Sequence, residues 1–200
     1  MRVAVLLAAG ASRRMGRPKL DLAFGSETMF SRSLRNLLAA GLDRVLVVVA
    51  SGGEARGELN EAHKDDERVE VVVNPYSKDG LASSLRCGLE RLPQETRVVL
   101  VALADKPLVK PETIRMLTET FDKAGARIAH PVYRGEQGHP VLFVAELVEE
   151  LLTLRGDRGG KSLLTRYRDE VLEIAVDDPG VCVDIDTPED YEKASQAFKP

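Results

Sequence analysis

Three acids and two bases stand where chemistry on a polyanion would need them. Lys19 and Arg14 close an apolar run that breaks at Gly10, within LLAAGASRRMGRPKL. Asp105 ends a second apolar run, VVLVALAD, and Asp184 and Asp186 follow a third, VCV. Glycines such as Gly10 and Gly16 let a backbone turn tightly and bring free N–H groups close to an anion. Arg14 adds a forked donor for phosphate oxygens and Lys19 a point charge. An acid at the end of a buried strand is costly to desolvate unless a cation or donor lies nearby. If their strands are neighbours, Asp105 and Asp186 can share one Mg²⁺ whose shell is completed by phosphate oxygens. On residue types alone two plainer readings stay open: a solvated basic turn for the loop, and a helix cap or salt bridge for each acid.

The loop is neither of two common phosphate motifs. GASRRMG lacks the GxGxxG spacing of a dinucleotide fingerprint and has no GxxxxGK followed by Ser or Thr. RGDRGGKS comes nearer, ending in Gly160, Lys161 and Ser162, but Arg155 occupies the first glycine position. His139, in GEQGHPVLF, begins a strand and suits either contact with a substrate or the ordering of a loop. His63 and His130 lack partner spacing and read as structural. No Ser or Cys has the surroundings of an activated nucleophile.

These groups need a scaffold that collects strand ends. Apolar, β-branched runs (VAVLLA from Val3, RVLVVVA from Arg44, VEVVVN from Val69, VVLVALAD from Val98) alternate with helical patterns over 28–40, 81–92 and 111–123. A short strand is expected in LDLAF and a short helix in GGEARGELNEAHKDDE. ARIAHPVY and HPVLFV read as an antiparallel excursion. VAELVEELLTL and KSLLTRYRD read as helices, EVLEIAV and VCVDI as late strands, and PEDYEKASQAF as a helix capped by Thr187. Such alternation predicts an α/β fold over 1–200 as one domain, a three-layer, mostly parallel, Rossmann-like sheet. Ligands of such sheets bind beyond the carboxyl ends of the strands, where the glycine loop and the acids gather.

Composition narrows the partners. The 200 residues are 44% hydrophobic and 30% charged, with a net charge of −4, which argues against nucleic acid. Five Phe, four Tyr and no Trp leave little for stacking on bases. Cys87 and Cys182 read as small buried hydrophobes of a reducing cytoplasm. The N-terminal apolar run is short and RRMGRPK follows it at once, so neither a signal peptide nor a membrane span is expected.

Taken in order, the motifs resemble those of MobA/MocA-type nucleotidyltransferases, and within them most of all the molybdenum cofactor cytidylyltransferases. The stretch from Leu7 to Lys19 matches LAAGxSxRMGxPK at every fixed position. Asn74-Pro75 with Gly80, Ser83 and Ser84 follows, then Leu103 to Pro107, Gly138 to Phe143, and Asp184 to Tyr191. The resemblance implies the nucleotide-diphospho-sugar transferase type of sheet and transfer of CMP from CTP to molybdopterin, with release of pyrophosphate. By position it places Leu7, Ala8, Ala9 and Gly10 under base and ribose, and Ser12, Arg14 and Lys19 on the triphosphate. Asn74, Gly80 and Ser84 would close the base pocket. Asp105 and Asp186 would hold Mg²⁺, and Arg14, Lys19 and Asp105 would be catalytic. His139, Lys106 and Lys161 would face the acceptor. Ala9, where guanylyl-transferring relatives tend to have Gly, favours CTP over GTP. A molybdoenzyme or its chaperone would be the protein partner. Three positions depart from the pattern: Ser77 replaces a frequent Trp, Lys106 a frequent Met or Gln, and Lys161 a usual Arg. The alternatives are another small phosphorylated acceptor, GTP in place of CTP, or a module that binds nucleotide without transferring it.

Overall fold

The computed structural model describes residues 1–10, 12, 14–52, 65–156 and 161–197. β-branched and aliphatic runs form β1 (Arg2–Ala8), then the small antiparallel pair β2 (Ala23–Phe24) and β3 (Glu27–Thr28). Helix α1 (Met29–Ala39) follows, its first turn capped by the Thr28 hydroxyl, which accepts from Ser31 N. Next come β4 (Arg44–Ala50), β5 (Val69–Asn74), α2 (Leu81–Leu89) and β6 (Val98–Leu103). The second half contains α3 (Pro111–Ala124), β7 (Ile128–Tyr133), β8 (Glu136–Gln137), β9 (Val141–Val144) and α4 (Val148–Leu152). It closes with α5 (Lys161–Arg166), β10 (Val171–Ala175) and α6 (Pro188–Ala197).

The main sheet runs β10-β7-β9-β6-β1-β4-β5, with β8 paired to β7. Every pairing along that order is parallel except the two made by β9. Side chains alternate between faces. Ala4, Leu6 and Ala8 of β1 pack with Phe30, Leu34, Leu117 and Phe121 of α1 and α3. Val3, Val5 and Leu7 pack with Leu85, Leu89 and Leu151 of α2 and α4. The result is the three-layer, mostly parallel α/β architecture expected. The antiparallel excursion is β9.

Chain order creates a switch point. From β1 the chain moves outward to β4 and β5, then returns to place β6 on the other side of β1. Crossovers therefore leave in opposite directions between β1 and β6, which opens a crevice at their carboxyl ends. The loops after Ala8 and Leu103 both enter it.

One expected element is absent. VCVDI is not a strand: Pro179–Val181 forms a 3₁₀ turn and the next six residues are irregular or turn. The reason is a backbone-to-backbone contact. A Cβ on Gly180 would stand 2.3 Å from Leu108 O and 2.9 Å from Val109 N, so this segment docks on the loop after β6 rather than on a sheet edge. Asp178 fixes the docking by accepting from Gly180 N, Lys110 N and the Thr113 hydroxyl. The short helix expected after β4 lies outside the described residues.

Gly180→Ala is therefore expected to destabilise the fold by about 3 kcal/mol, the upper part of the usual range for overpacking, because the obstruction is backbone. For a chain of this size that lowers the melting temperature by roughly 6–12 °C. A thermal melt within a degree of wild type would show that the close approach is not required.

Candidate functional site

The loop after β1 is held by its own backbone. Ser12 has φ +47° and its carbonyl accepts from Met15 N, while its hydroxyl accepts from Lys19 N at 3.2 Å. Gly16 takes φ +67°, a value that favours glycine. Met15 is buried with Phe24, Met29, Ile185 and Ala194 in a small apolar cluster. That cluster joins the Lys19 loop to the C-terminal segment. The Tyr191 hydroxyl adds a hydrogen bond to Ala23 O.

Helix α1 anchors the loop after β6. Ser33 donates its hydroxyl to Ala104 O at 2.9 Å, and the Asn36 amide donates to Pro107 O and Val109 O. Ala104 N extends the β1 pairing by donating to Leu7 O. Asp105 thereby projects from a braced turn. The third segment arrives irregular, with Ile185 N donating to Asp105 O. Asp190 Oδ2 accepts from Asp186 N and Thr187 N, while the Thr187 hydroxyl accepts from Asp190 N. This reciprocal cap starts α6 and orients Asp186.

Lys19 sits where the three segments of the chain meet. Its Nζ lies 2.7 Å from Asp105 Oδ2 and 2.7 Å from Asp186 Oδ1, and donates to Ile185 O at 3.2 Å. The side chain is only 9% exposed. Burial works against its charge, but attraction to Asp105 and hydrogen bonds to both carboxylates prevail and hold its pKa above the ordinary lysine value. Arg14 lies outside this pair, with Nη2 2.8 Å from Asp186 Oδ2. Removing one partner of a buried ion pair typically costs about 3–5 kcal/mol, because the remaining charge stays uncompensated.

A second pair flanks the first. Lys106 Nζ lies 2.9 Å from Asp184 Oδ1, with the lysine side chain 4% exposed and the aspartate 55%. His139 is anchored beside it through its backbone N–H, which donates to Val181 O, and its buried ring Nδ1 has no hydrogen-bond partner. Burial first, and then the Lys106 charge, push the imidazole from 6.5 down to about 4, against the opposite pull of Asp184 and Asp105. The ring is neutral at physiological pH.

The structure thus brings Arg14, Lys19, Asp105 and Asp186 together, with Lys106 and His139 alongside. Leu7, Ala8 and Ala9 are buried beneath the loop, whereas Gly10 is exposed with open space where a Cβ would stand. Asn74 is different. It is fully buried, donates to the Ser83 and Ser84 hydroxyls and accepts from Tyr76 N, so it orders the loop before α2 from within. Gly80, at φ +91°, precedes the first turn of α2. Lys161 opens α5, and the preceding residues 157–160 lie outside the described ones, as do Ala11, Arg13 and His63. His130 is buried with Nδ1 near Pro131 O, a structural placement. Sequence reasoning missed Ser33, Asn36 and Asp178, which brace the turns beside the charged groups. Their only signal was a polar residue on the apolar face of a helix or beside a Pro-Gly pair.

The domain model "MobA-like NTP transferase domain" matches residues 4–171. The chain belongs to the MobA-like NTP transferase family. Its relatives include purine catabolism protein PucB of Bacillus subtilis, 30% identical over 98% of this chain and 97% of PucB. Molybdenum cofactor cytidylyltransferase of Escherichia coli is 23% identical over 97% and 95%, and nicotine blue oxidoreductase of Paenarthrobacter nicotinovorans 28% over 98% and 94%. The crystal structure of Rv0371c from Mycobacterium tuberculosis superposes with TM-score 0.83 at 31% identity, covering 98% of this chain and 97% of that one. A manganese complex of Rv0371c superposes at TM-score 0.78 and 29% identity, with coverage of 98% and 97%.

The residues present also fit a divalent cation. Two carboxylates already surround one cation, the Lys19 ammonium, and buried Asp105 Oδ1 has no hydrogen-bond partner. Among the described residues no group of three or more His, Cys, Asp or Glu gathers, so phosphate and water oxygens must complete such a shell.

The depressed His139 pKa predicts a pH dependence of stability. Between about pH 4 and 6.5 the unfolded ring binds the proton more tightly, so the contribution is complete above pH 6.5 and lost as pH falls through that window. At pH 4.5 the loss approaches roughly 2–3 kcal/mol. Urea unfolding at pH 7 and pH 4.5 should show a smaller acid loss in His139→Gln than in wild type. Parallel losses would rule out a neutral buried imidazole.

Proposed function

We propose that this MobA-like NTP transferase moves CMP from CTP to the terminal phosphate of molybdopterin, with Mg²⁺ as cofactor. The observation that carries the reading is the convergence of Lys19, Arg14, Asp105 and Asp186 at the β1/β6 switch point. The triphosphate would run along the exposed Gly10 backbone toward Arg14 and Lys19, with Leu7, Ala8, Ala9 and Ser12 shaping the floor. Gly80 and Ser84 would close the base side, and Asn74 would act through the loop it orders. An acceptor phosphate oxygen would attack the α-phosphorus as the bond to the bridging oxygen breaks, and pyrophosphate would carry away the electron pair. Arg14 and Lys19 would stabilise the charge that develops on the departing oxygens. A divalent cation held by Asp105 and Asp186 would supply Lewis-acid neutralisation of the phosphates.

Ala9 supports CTP, since its methyl narrows the space beneath a base. The full-length similarity to the Escherichia coli cytidylyltransferase supports molybdopterin. The Lys106–Asp184 pair favours a second reading, in which the chemistry is the same and the acceptor is another small phosphorylated molecule. There Lys106, His139 and Lys161 would recognise groups that molybdopterin lacks.

Thermal unfolding with Mg²⁺ and each of CTP, GTP, ATP and UTP tests the donor. A ligand at 100 times its Kd stabilises by about 2.7 kcal/mol. A shift for CTP alone, smaller without Mg²⁺, is expected. A shift for GTP instead would discard the CTP assignment. Pyrophosphate release with molybdopterin, lost by at least about 100-fold in Asp105→Asn, tests transfer; binding without release would make the chain a non-catalytic module.

A further inference from the structure

A lysine that grips a triphosphate needs its ammonium free, and Lys19 is not free. An ammonium has three donors and no acceptor. Lys19 directs them to Asp105 Oδ2, Asp186 Oδ1 and Ile185 O, all of them protein atoms. The two carboxylates are the same groups that fit a divalent cation. One place cannot hold an ammonium and a metal ion together, since like charges repel strongly at contact distance in a partly dehydrated site.

We infer that Lys19 is a resident counter-cation of the metal site, holding Asp105 and Asp186 in position, excluding free divalent cations, and moving onto the triphosphate when nucleotide brings the metal in. The inference rests on the proposed function for the identity of the incoming ligand. Local charge supports it. Asp105 and Asp186 are balanced by Lys19 and Arg14, so the site is neutral by itself. A divalent cation entering alone would leave two uncompensated positive charges. Accompanied by a polyanion, it leaves negative charge that Lys19 and Arg14 can meet.

The donor set points the same way. Two carboxylates without a third His, Cys, Asp or Glu among the described residues make a weak site for a bare ion. Asp105 Oδ1, buried and without a hydrogen-bond partner, shows that the ammonium satisfies that carboxylate only in part. Burial favours Lys19 staying between the acids until something replaces its charge, because an aspartate pair left facing itself is costly. Metal and nucleotide should therefore bind as one unit. By linkage, each should raise the affinity of the other by the same factor.

The test is Mn²⁺ binding, read from the electron paramagnetic resonance signal of the free ion, for wild type, Lys19→Met and Asp105→Asn, each alone and with CTP or GTP. Without nucleotide, Lys19→Met is expected to bind Mn²⁺ on the order of tenfold more tightly than wild type. Wild type should gain at least that factor from nucleotide and the variant less. Asp105→Asn should lose Mn²⁺ binding in both conditions. Equal Mn²⁺ affinity of wild type and Lys19→Met, with nucleotide-dependent binding intact in wild type, would overturn the inference and leave the proposed function standing. Failure of wild type to bind Mn²⁺ or nucleotide under any condition would overturn both. If Lys19→Met is too unstable to titrate, melting of Lys19→Gln decides the matter. Mn²⁺ alone should raise its melting temperature and leave wild type unmoved, whereas an equal response would overturn the inference.

Discussion

One ammonium between two carboxylates sets the terms for the candidate active edge of this molecule. Lys19, Asp105 and Asp186 come from three distant parts of the chain, and the cost of burying the Lys19 charge is offset by the two carboxylates it bridges. Their meeting requires β1 and β6 to be neighbours with parallel carboxyl ends, and the C-terminal segment to cross in front of both. A reversed connection or a slipped register would bury a charge without its partner. The switch point of the sheet is therefore an electrostatic requirement as much as a topological one.

Precision in such a site comes from the turns, because each charged side chain is carried outside regular structure. The turns are braced by buried polar groups acting on backbone: Ser33 and Asn36 on the loop after β6, Asp178 on the start of α3, and Asp190 on the residues beside Asp186. Each bond satisfies a main-chain group that would otherwise be stranded from water. The small cluster around Met15 and Ile185 adds apolar contact on the same edge. Loop geometry is thereby set by the core.

The site has two halves with different character. On the Lys19 side, two bases and two acids neutralise one another. On the Lys106 side, a buried cation leans on a largely exposed carboxylate beside a neutral imidazole. That half offers donors and shape with little net charge.

Much of this was legible in the sequence by itself. Near-continuous apolar runs such as RVLVVVA must be buried on both faces, so the parallel three-layer sheet followed from hydrophobicity and spacing, and the boundaries of β4 and β5 were read to the residue. The glycine-flanked basic loop and the acids after apolar runs marked the edge where the charged groups converge. Residue types alone left that loop open between a solvated turn and a phosphate grip. What the sequence could not determine was how the last acids arrive. VCVDI has the composition of a strand, yet Gly180 presses against the Leu108 carbonyl and Asp178 ties it there, so the segment never joins the sheet. Nor could it show Lys19 bridging Asp105 and Asp186, or Asn74 turned inward. Hydrophobic periodicity is local and survives in a single strand of text. The partner of a buried charge or amide is chosen by distance in space across 86 or 167 positions, and only the folded chain supplies it.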